Sequence, residues 1–596
     1  MAPHAGIAHV VTRAPRPWWR SAVVYQVYIR SFADADGDGV GDVAGLRRRL
    51  PYLAELGVDA IWINPWYPSP LRDGGYDVAD YRAIDPSLGT LPEAQAMLNE
   101  AHASGLRVLL DLVPNHVSDQ HAWFRRALEA PPGSPARARF IFRPGCGPTG
   151  AEPPNNWTSN FGGSAWTRVA DADGRPGEWY LHLFAPEQSD LDWTNSEVRD
   201  EFAAIMRFWF DLGIDGFRID VAHGLAKAEG LPDASTVGWP PPAGEPVEHP
   251  HWDRDEVHEI YRAWRALADE YEDPRVFVAE AWVQSPERLA RYVRSDELHT
   301  AFNFDFLLAP WQAESIRRSI ETTLRTHSAV GASPTWVLSN HDTIREVSRY
   351  ARRQGVRPLR TLGDLVDLPP DFALGLRRAR AAVLLMLALP GGAYVYQGAE
   401  LGLPEVEDLP VDVLRDPGWE LSDHTERGRD GCRVPIPWSG SAPPFGFSPP
   451  GASAPPWLPQ PAAWSDLTVE RQAADPGSTL GLYRRALALR REHPALGGAD
   501  GDGEGEGDGE GDGGGGEADA AGDGEGEFSW LSAPAGALAF AREPGFACIV
   551  NLSADGVTLP SDATLLIASG PLTDDAQVPH DTAVWVTTGP REETPI

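Results

Sequence analysis

From Val23 onward, short apolar runs alternate with amphipathic stretches in a regular order. Val23–Ile29, Val58–Ile63 and Leu106–Val113 read as strands, and Val43–Leu56 and Leu91–Ser104, with apolar residues recurring every third or fourth position, read as the helices between them. Gly213–Ile219, Val276–Ala279, Ala301–Phe306, Thr335–Ser339 and Ala393–Tyr396 complete a set of eight strand candidates. Strand-helix alternation that persists this long predicts a parallel α/β architecture closed into a (β/α)8 barrel, with the helix Leu482–Arg491 sealing it.

The rhythm fails in three places. Between Val117 and Tyr180, Pro, Gly and Asn crowd in, which predicts a small domain inserted after the third strand; Leu403–Asp475 is a second, Pro-rich excursion after the eighth. Residues 497–527 are a Gly/Asp/Glu run that cannot bury anything and reads as a disordered linker, not as a cation site. After it, short alternating runs such as Ala537–Ala541, Ala547–Val550 and Ala583–Val586 predict a C-terminal β-sandwich. The expected organisation is a barrel over 18–116 and 180–496, an insert over 117–179, the linker, and a sandwich over 528–596.

Charge narrows the partners. The net charge is −35, and Asp500–Glu527 carries twelve acidic and no basic residues, leaving −23 for the rest, so nucleic acid and anionic membrane are poor partners. Cys146, Cys432 and Cys548 are too few and scattered for a disulfide framework or a zinc site, which fits a reducing compartment. The N-terminus lacks a signal-peptide apolar core, and the longest apolar run, Ala381–Leu389, is about half a membrane span. The expectation is a cytoplasmic protein, monomeric or weakly self-associating.

Polar clusters fall where the predicted strands end: Asp111–His116 after the third, Asp220 after the fourth, Glu280 after the fifth, Asn340–Asp342 after the seventh. In a parallel barrel the C-terminal strand ends form the functional face. Arg218 and Asp220 project from the same side of a strand, so the guanidinium is expected to hold the carboxylate ionised, as a nucleophile or as half of a structural ion pair. Glu280, between Val276–Ala279 and Ala281-Trp282, is expected in an apolar setting that keeps it protonated. A protonated Glu beside an ionised Asp is what cleavage of a glycosidic bond requires. His341 and Asn340 beside Asp342 suit a grip on vicinal hydroxyls.

Together, Asp111-Leu-Val-Pro-Asn-His116, Gly216-Phe-Arg-Ile-Asp220, Glu280-Ala-Trp282 and Ser339-Asn-His-Asp342 resemble the four signature regions of the α-amylase family, glycoside hydrolase family 13, in its oligosaccharide α-glucosidase branch; the similarity spans Trp18–Glu492. The resemblance implies Asp220 as nucleophile, Glu280 as general acid then base, and Asp342 as transition-state stabiliser of a retaining double displacement. His116, His341 and Arg218 would serve the first subsite. Asp73-Gly-Gly-Tyr-Asp77 resembles the loop that holds the non-reducing end, with Asp73 gripping a far hydroxyl, Tyr76 as stacking floor, and Arg429 (Arg433 as second choice) closing the pocket, which implies exo action. Asn155–Trp166 resembles the branch's inserted domain, while Gln188-Ser-Asp-Leu-Asp192 departs from the branch's pattern at two of its five positions.

Asp34-Ala-Asp-Gly-Asp-Gly-Val-Gly-Asp42 invites an EF-hand reading, but its twelfth position is Gly45. It resembles instead the branch's cation loop, which implies a structural Ca²⁺ held by Asp34, Asp36, Asp38, Asp42 and the Val40 carbonyl; the alternative is a metal-free Asp/Gly turn. The activity implied is release of glucose from maltose- or isomaltose-type oligosaccharides, and Val221 after Asp220 goes with α-1,6 cleavage in the resembling branch. The alternatives are a transglucosylase or isomerase of the same fold, such as a trehalose synthase or sucrose isomerase, and a catalytically dead binding module, which retention of all three carboxylates disfavours.

Overall fold

The computed structural model describes residues 17–170, 174–235, 248–355, 357–497 and 527–588. Eight parallel strands form one sheet: β1 (Val23–Val27), β2 (Ala60–Ile63), β3 (Arg107–Leu112), β4 (Gly216–Ile219), β5 (Val276–Ala279), β6 (Thr300–Ala301), β7 (Thr335–Val337) and β8 (Gly392–Tyr396). Their order is β6-β5-β4-β3-β2-β1-β8-β7, so the sheet is a barrel nearly closed, with no ladder joining β6 to β7 among the described residues.

Side-chain alternation explains why these runs form a barrel. One set, including Tyr25, Ile61, Leu110, Phe217 and Phe277, packs outward against the helices, while Val24, Trp62, Leu109, Val278 and Tyr394 fill a separate interior cluster. Both faces are buried, hence the continuous apolar runs. Gly216 opens β4 because a Cβ there would lie 2.1 Å from the Val276 carbonyl oxygen.

The helices begin and end on local signals. Asp42 caps α1 (Val43–Leu56) by accepting from Gly45 N at 2.6 Å, and Gly57, at φ 95°, ends it in the left-handed region. Thr90 and Glu93 form a capping box at α2 (Leu91–Ala103). Further round the barrel come α3 (Ser196–Asp211), α4 (Val257–Ala268), α5 (Ala313–Ser328), α6 (Phe372–Ala388) and the final α7 (Thr479–Glu492).

One expected strand is corrected. Of Ala301–Phe306, only Ala301 remains in a strand, and Phe304–Leu308 is a short helix, because Asn303 accepts from the Phe306 amide and caps a new turn.

The segment after β3 leaves on a ribbon, His116–Ser118 paired with Gln188–Asp190, and carries a three-stranded antiparallel sheet of Phe142–Arg143, Pro176–Leu181 and Trp166–Ala170. At the C-terminus, a five-stranded antiparallel sheet presents Phe540, Cys548 and Trp585 to the barrel core, and Trp585 Nε1 donates to the Leu384 carbonyl of α6 at 2.9 Å. Its other face, Ala539, Ile549 and Val584, packs on the two-stranded ribbon Val557–Thr558 with Gln577–Val578. The acidic run expected as a linker lies almost wholly outside the described residues, as does the N-terminal stretch up to residue 16. No helix among the described residues is long and apolar enough to cross a membrane, and the three cysteines are free thiols.

Candidate active site

At the C-terminal ends of the strands the interior-facing positions turn from apolar to polar: Val24 is followed two residues on by Gln26, Trp62 by Asn64, Leu109 by Asp111 and Val278 by Glu280. Strand register aligns them. Asp111 pairs across from Arg218, and Ile219 across from Ala279, which sets Asp220 level with Glu280.

Arg218, fully buried, holds the centre. Its Nη1 lies 2.7 Å from Asp111 Oδ1 and 2.6 Å from Asp220 Oδ1, and its Nη2 lies 2.8 Å from Glu280 Oε2. Asp220 and Glu280 thus sit on the two terminal nitrogens of one planar guanidinium. Glu280 also accepts from Val221 N at 3.0 Å and from Trp282 Nε1 at 3.1 Å. Val221 reaches this position at φ 46°, an uncommon conformation for a β-branched residue and a sign of strain held in place by its surroundings.

These contacts correct the expected setting of Glu280 and the expected direction of the shift at Asp220. Glu280 is not in an apolar setting but accepts three donors. Asp220 is not lowered by its arginine: burial pushes it well above the usual carboxylate range, Arg218 opposes this, and the charges of Glu280 and Asp111 add to the rise. Burial likewise raises Asp111 to about 6 against Arg218. Asp111 and Asp220, both raised, share one cation.

A second cluster lies beside the first. Arg429 Nη2 donates to Asp73 Oδ1 at 2.6 Å, its Nη1 to Asp342 Oδ1 at 2.9 Å and its Nε to Asp416 Oδ2 at 2.5 Å. Arg433 Nη2 donates to Asp342 Oδ1 at 3.0 Å, so Arg429, not Arg433, is the one that meets Asp73. Burial opposes ionisation of Asp342, but His341, Arg429 and Arg433 outweigh it and hold the carboxyl well below its ordinary range. His341 is itself driven neutral by burial. The arginines therefore supply the positive charge, while His341 Nε2, 3.2 Å from Asp342 Oδ2, contributes as a neutral dipole.

Tyr76 stacks on His341 with ring centroids 5.2 Å apart and donates to Asp111 Oδ2 at 2.8 Å. Gly74 and Gly75, at φ 58° and 112°, turn the loop between Asp73 and Tyr76. His116, buried and held neutral by burial, has Nε2 3.1 Å from the nitrogen of Gln188, whose amide also donates to Asp73 Oδ2 at 3.1 Å.

All of Asp73, Tyr76, His116, Asp220, Glu280, Asp342 and Arg429 line one cavity of about 420 Å³; Arg218 lies beneath it. A larger cavity, about 840 Å³, lies where α6 and the start of α7 border the C-terminal residues 569–582, but no aromatic ring other than His580 lines it and none of these carboxylates reaches it.

Sequence reasoning passed over Asp111, Gln188 and Asp416 as members of the site. Asp111 and Gln188 stood inside quoted motifs, and Asp111 falls on the same alternation as Arg218, a signal available beforehand. Asp416 lies in an irregular Pro-rich segment and carried no such signal.

In the loop after β1, Asp34, Asp36 and Asp42 bring carboxylate oxygens within 4.8 Å of one another. Asp38 stands outside this group, its Oδ1 accepting from Val40 N at 2.8 Å. Asp34 accepts from Gly37 and Gly39 N–H groups, so the loop is curled around its carboxylates, and an oxygen-only donor set of this kind fits a hard cation.

Residues 26–499 match the family model "Alpha amylase, catalytic domain". A probable alpha-glucosidase of Rhizobium meliloti (strain 1021) is 38% identical over 503 residues, covering 81% of this chain and 84% of that protein. An oligo-1,6-glucosidase of Parageobacillus thermoglucosidasius is 33% identical over 512 residues, covering 80% and 84%. The crystal structure of an alpha-glucosyl transfer enzyme superposes with a TM-score of 0.79 at 32% identity, over 96% of this chain and 100% of that one. The chain belongs to the alpha-amylase family, glycoside hydrolase family 13, and is a glycoside hydrolase.

Proposed function

We propose that this enzyme is a retaining, exo-acting α-glucosidase that releases glucose from the non-reducing end of short maltose- or isomaltose-type oligosaccharides. The carrying observation is the shared guanidinium: Asp220 and Glu280 on the two arms of Arg218 supports the short carboxyl separation, about 5–5.5 Å, of a double displacement.

Asp220 attacks the anomeric carbon while Glu280 protonates the departing oxygen, giving a β-glucosyl ester; Glu280 then takes a proton from water, which displaces Asp220. Before attack the proton must reside on Glu280. Burial pushes Asp220 toward its neutral form, and Glu280 accepts three donors. A glycosidic oxygen set against Glu280 favours its neutral, donating form, and positive charge growing at the anomeric carbon favours ionised Asp220. Substrate thus favours an ionised Asp220 beside a protonated Glu280 on one cation. Asp342, kept ionised by the second cluster, stabilises that positive charge.

Asp73 and Arg429 cap the far end of the cavity and support removal of one glucose at a time, with His116 placed to read hydroxyls beside Tyr76; His341, fully buried against the Tyr76 ring, does not line the cavity and would act only through Tyr76 and Asp342. Asp34, Asp36 and Asp42, with Asp38 and the Val40 carbonyl, would hold a Ca²⁺ that stiffens the loop after β1 and takes no part in bond cleavage. The absence of a membrane-crossing helix among the described residues and the three free thiols support a cytoplasmic location.

A second reading, transfer of glucosyl to a sugar hydroxyl in place of water, is favoured by the likeness to an alpha-glucosyl transfer enzyme. Initial rates and products from maltose, isomaltose and sucrose decide between them: free glucose as the main product supports hydrolysis, and a new disaccharide overturns it. Asp220→Asn is expected to lower kcat on every substrate by about 10⁴-fold or more with the circular dichroism spectrum unchanged. Retained turnover would refute the mechanism.

A further inference from the structure

Between the two arginine clusters runs a line of buried polar side chains that the catalytic steps above leave unused. Gln26 of β1 and Asn64, one residue past β2, are 1% and 2% exposed, and neither lines the catalytic cavity. Gln26 Nε2 lies 3.0 Å from Asn64 Oδ1 and 2.8 Å from His341 Nδ1. Asn64 Nδ2 lies 2.6 Å from the Tyr76 hydroxyl, which lies 2.8 Å from Asp111 Oδ2. Four hydrogen bonds thus join Asp111, held by Arg218, to His341, which abuts Asp342 in the other cluster.

The direction of each bond follows from the one before it. Burial raises Asp111 only to about 6, so above that pH its Oδ2, which also receives Trp62 Nε1 at 3.1 Å, can only accept. Tyr76 gives Asp111 its single hydroxyl proton, and its oxygen therefore accepts from Asn64. Asn64 then turns its amide nitrogen to Tyr76 and its carbonyl oxygen to Gln26. Gln26 answers with its own amide nitrogen, whose second hydrogen points to His341 Nδ1.

An imidazole that accepts at Nδ1 and is kept neutral by burial carries its one proton on Nε2. Tyr28 and Tyr76 stack on the ring and Trp62 meets it edge-on, so packing opposes the ring turn that would exchange its nitrogens. Arg218, Arg429 and Arg433 all oppose a second proton on it. The Nε2 atom is buried without an aligned hydrogen bond, and Asp342 Oδ2 stands 3.2 Å away. A small turn of the carboxylate completes the bond.

We propose, with Asp342 as the stabiliser read above, that Gln26 is a positioning residue: it fixes His341 as the Nε2–H tautomer, so that a neutral N–H faces Asp342. The opposite tautomer would set a bare lone pair against that carboxylate and turn it away from the sugar. Because the order of donors starts at Asp111, the Arg218 cluster sets the tautomer that serves the Arg429 cluster.

Neutron diffraction from deuterium-exchanged crystals of the native enzyme at neutral pH reads the proton directly. Deuterium on His341 Nε2 and none on Nδ1 is expected, and deuterium on Nδ1 would overturn the assignment whatever the activity. Kinetics on p-nitrophenyl α-glucoside test the role. Gln26→Met, which keeps the side-chain length and removes the donor, should lower kcat about tenfold or more and leave KM within about twofold. Gln26→Glu separates the tautomer from packing: a neutral carboxyl still donates one hydrogen to Nδ1, whereas a carboxylate only accepts and draws a proton onto Nδ1. The ratio of Gln26→Glu to native kcat should therefore rise as pH falls, while the ratio of Gln26→Met to native stays flat. Two flat ratios, or a native kcat in Gln26→Met, would remove Gln26 from the mechanism. If circular dichroism shows that neither variant folds, the neutron map alone decides. Should the native enzyme not cleave the glucoside, the glucosidase reading fails, and the neutron map still decides the tautomer.

Discussion

Two arginine-centred clusters share one cleft, are built from the same residue types, and hold protons in opposite ways. Around Arg218, one cation serves Asp111, Asp220 and Glu280, all at strand ends, and at the two buried ones burial wins: Asp111 and Asp220 are pushed up. Around Arg429 and Arg433, two cations serve Asp73, Asp342 and Asp416; burial again opposes ionisation, yet Asp342 and Asp416 end below their ordinary range. The difference lies in the ratio of guanidinium groups to carboxyls. On the proposed mechanism, the cluster that handles a proton is kept short of cations, and the one that stays charged is given a second.

The sharpest way to break this contrast is Arg218→Lys. An ammonium cannot hold Asp220 and Glu280 on two arms of a plane, so kcat should fall by about 10³-fold with KM little changed, measured on p-nitrophenyl α-glucoside. Arg429→Lys attacks the other cluster, where the role is to close the pocket. KM for maltose should rise by about 10²-fold and kcat should fall less, a split that distinguishes gripping from chemistry.

Asp111→Asn sharpens the comparison through pH. Removing one negative charge beside Asp220 and Glu280 makes their ionisation easier, so the group that must stay protonated loses its proton sooner. The alkaline limb of kcat/KM should move down by about one pH unit. Asp416→Asn, in the cluster with two cations, should leave that limb in place. The smallest effect expected is at Val221, which lines the cavity next to Asp220: Val221→Thr should raise the ratio of maltose to isomaltose turnover a few-fold, read from initial rates, about 1 kcal/mol of discrimination. An unchanged ratio would remove Val221 from the linkage argument.

Much of this was legible in the sequence because the barrel writes its interior on alternate residues. Leu109 then Asp111, and Val278 then Glu280, announce in two positions where the core stops and the rim begins. What alternation could not supply was how many partners share a cation. Arg218 beside Asp220 looks like one pair in the sequence; burial at the strand end reverses the direction of the shift, and the register between β3, β4 and β5 adds the charges of Glu280 and Asp111 to the rise. Asp416 was invisible for another reason: it sits in an aperiodic segment that owes its path to tertiary contacts alone. The strand expected through Phe306 failed because a single Asn303 side chain turned the backbone into a helix.

The Asp73–Arg429 ion pair joins positions 356 residues apart. Its assembly is consequently a late event in the life of the polypeptide. A nascent chain that has emerged only as far as Asp342 already contains Asp220, Glu280 and Asp342, the three carboxyls of the proposed mechanism, but it lacks Arg429, and closing so long a loop must wait for the Pro-rich segment to fold back over β8. Catalytic competence should thus appear in a single late step during synthesis or refolding, trailing the rise of helical signal, and a protease cut within 410–430 should silence the enzyme while most of its fold survives.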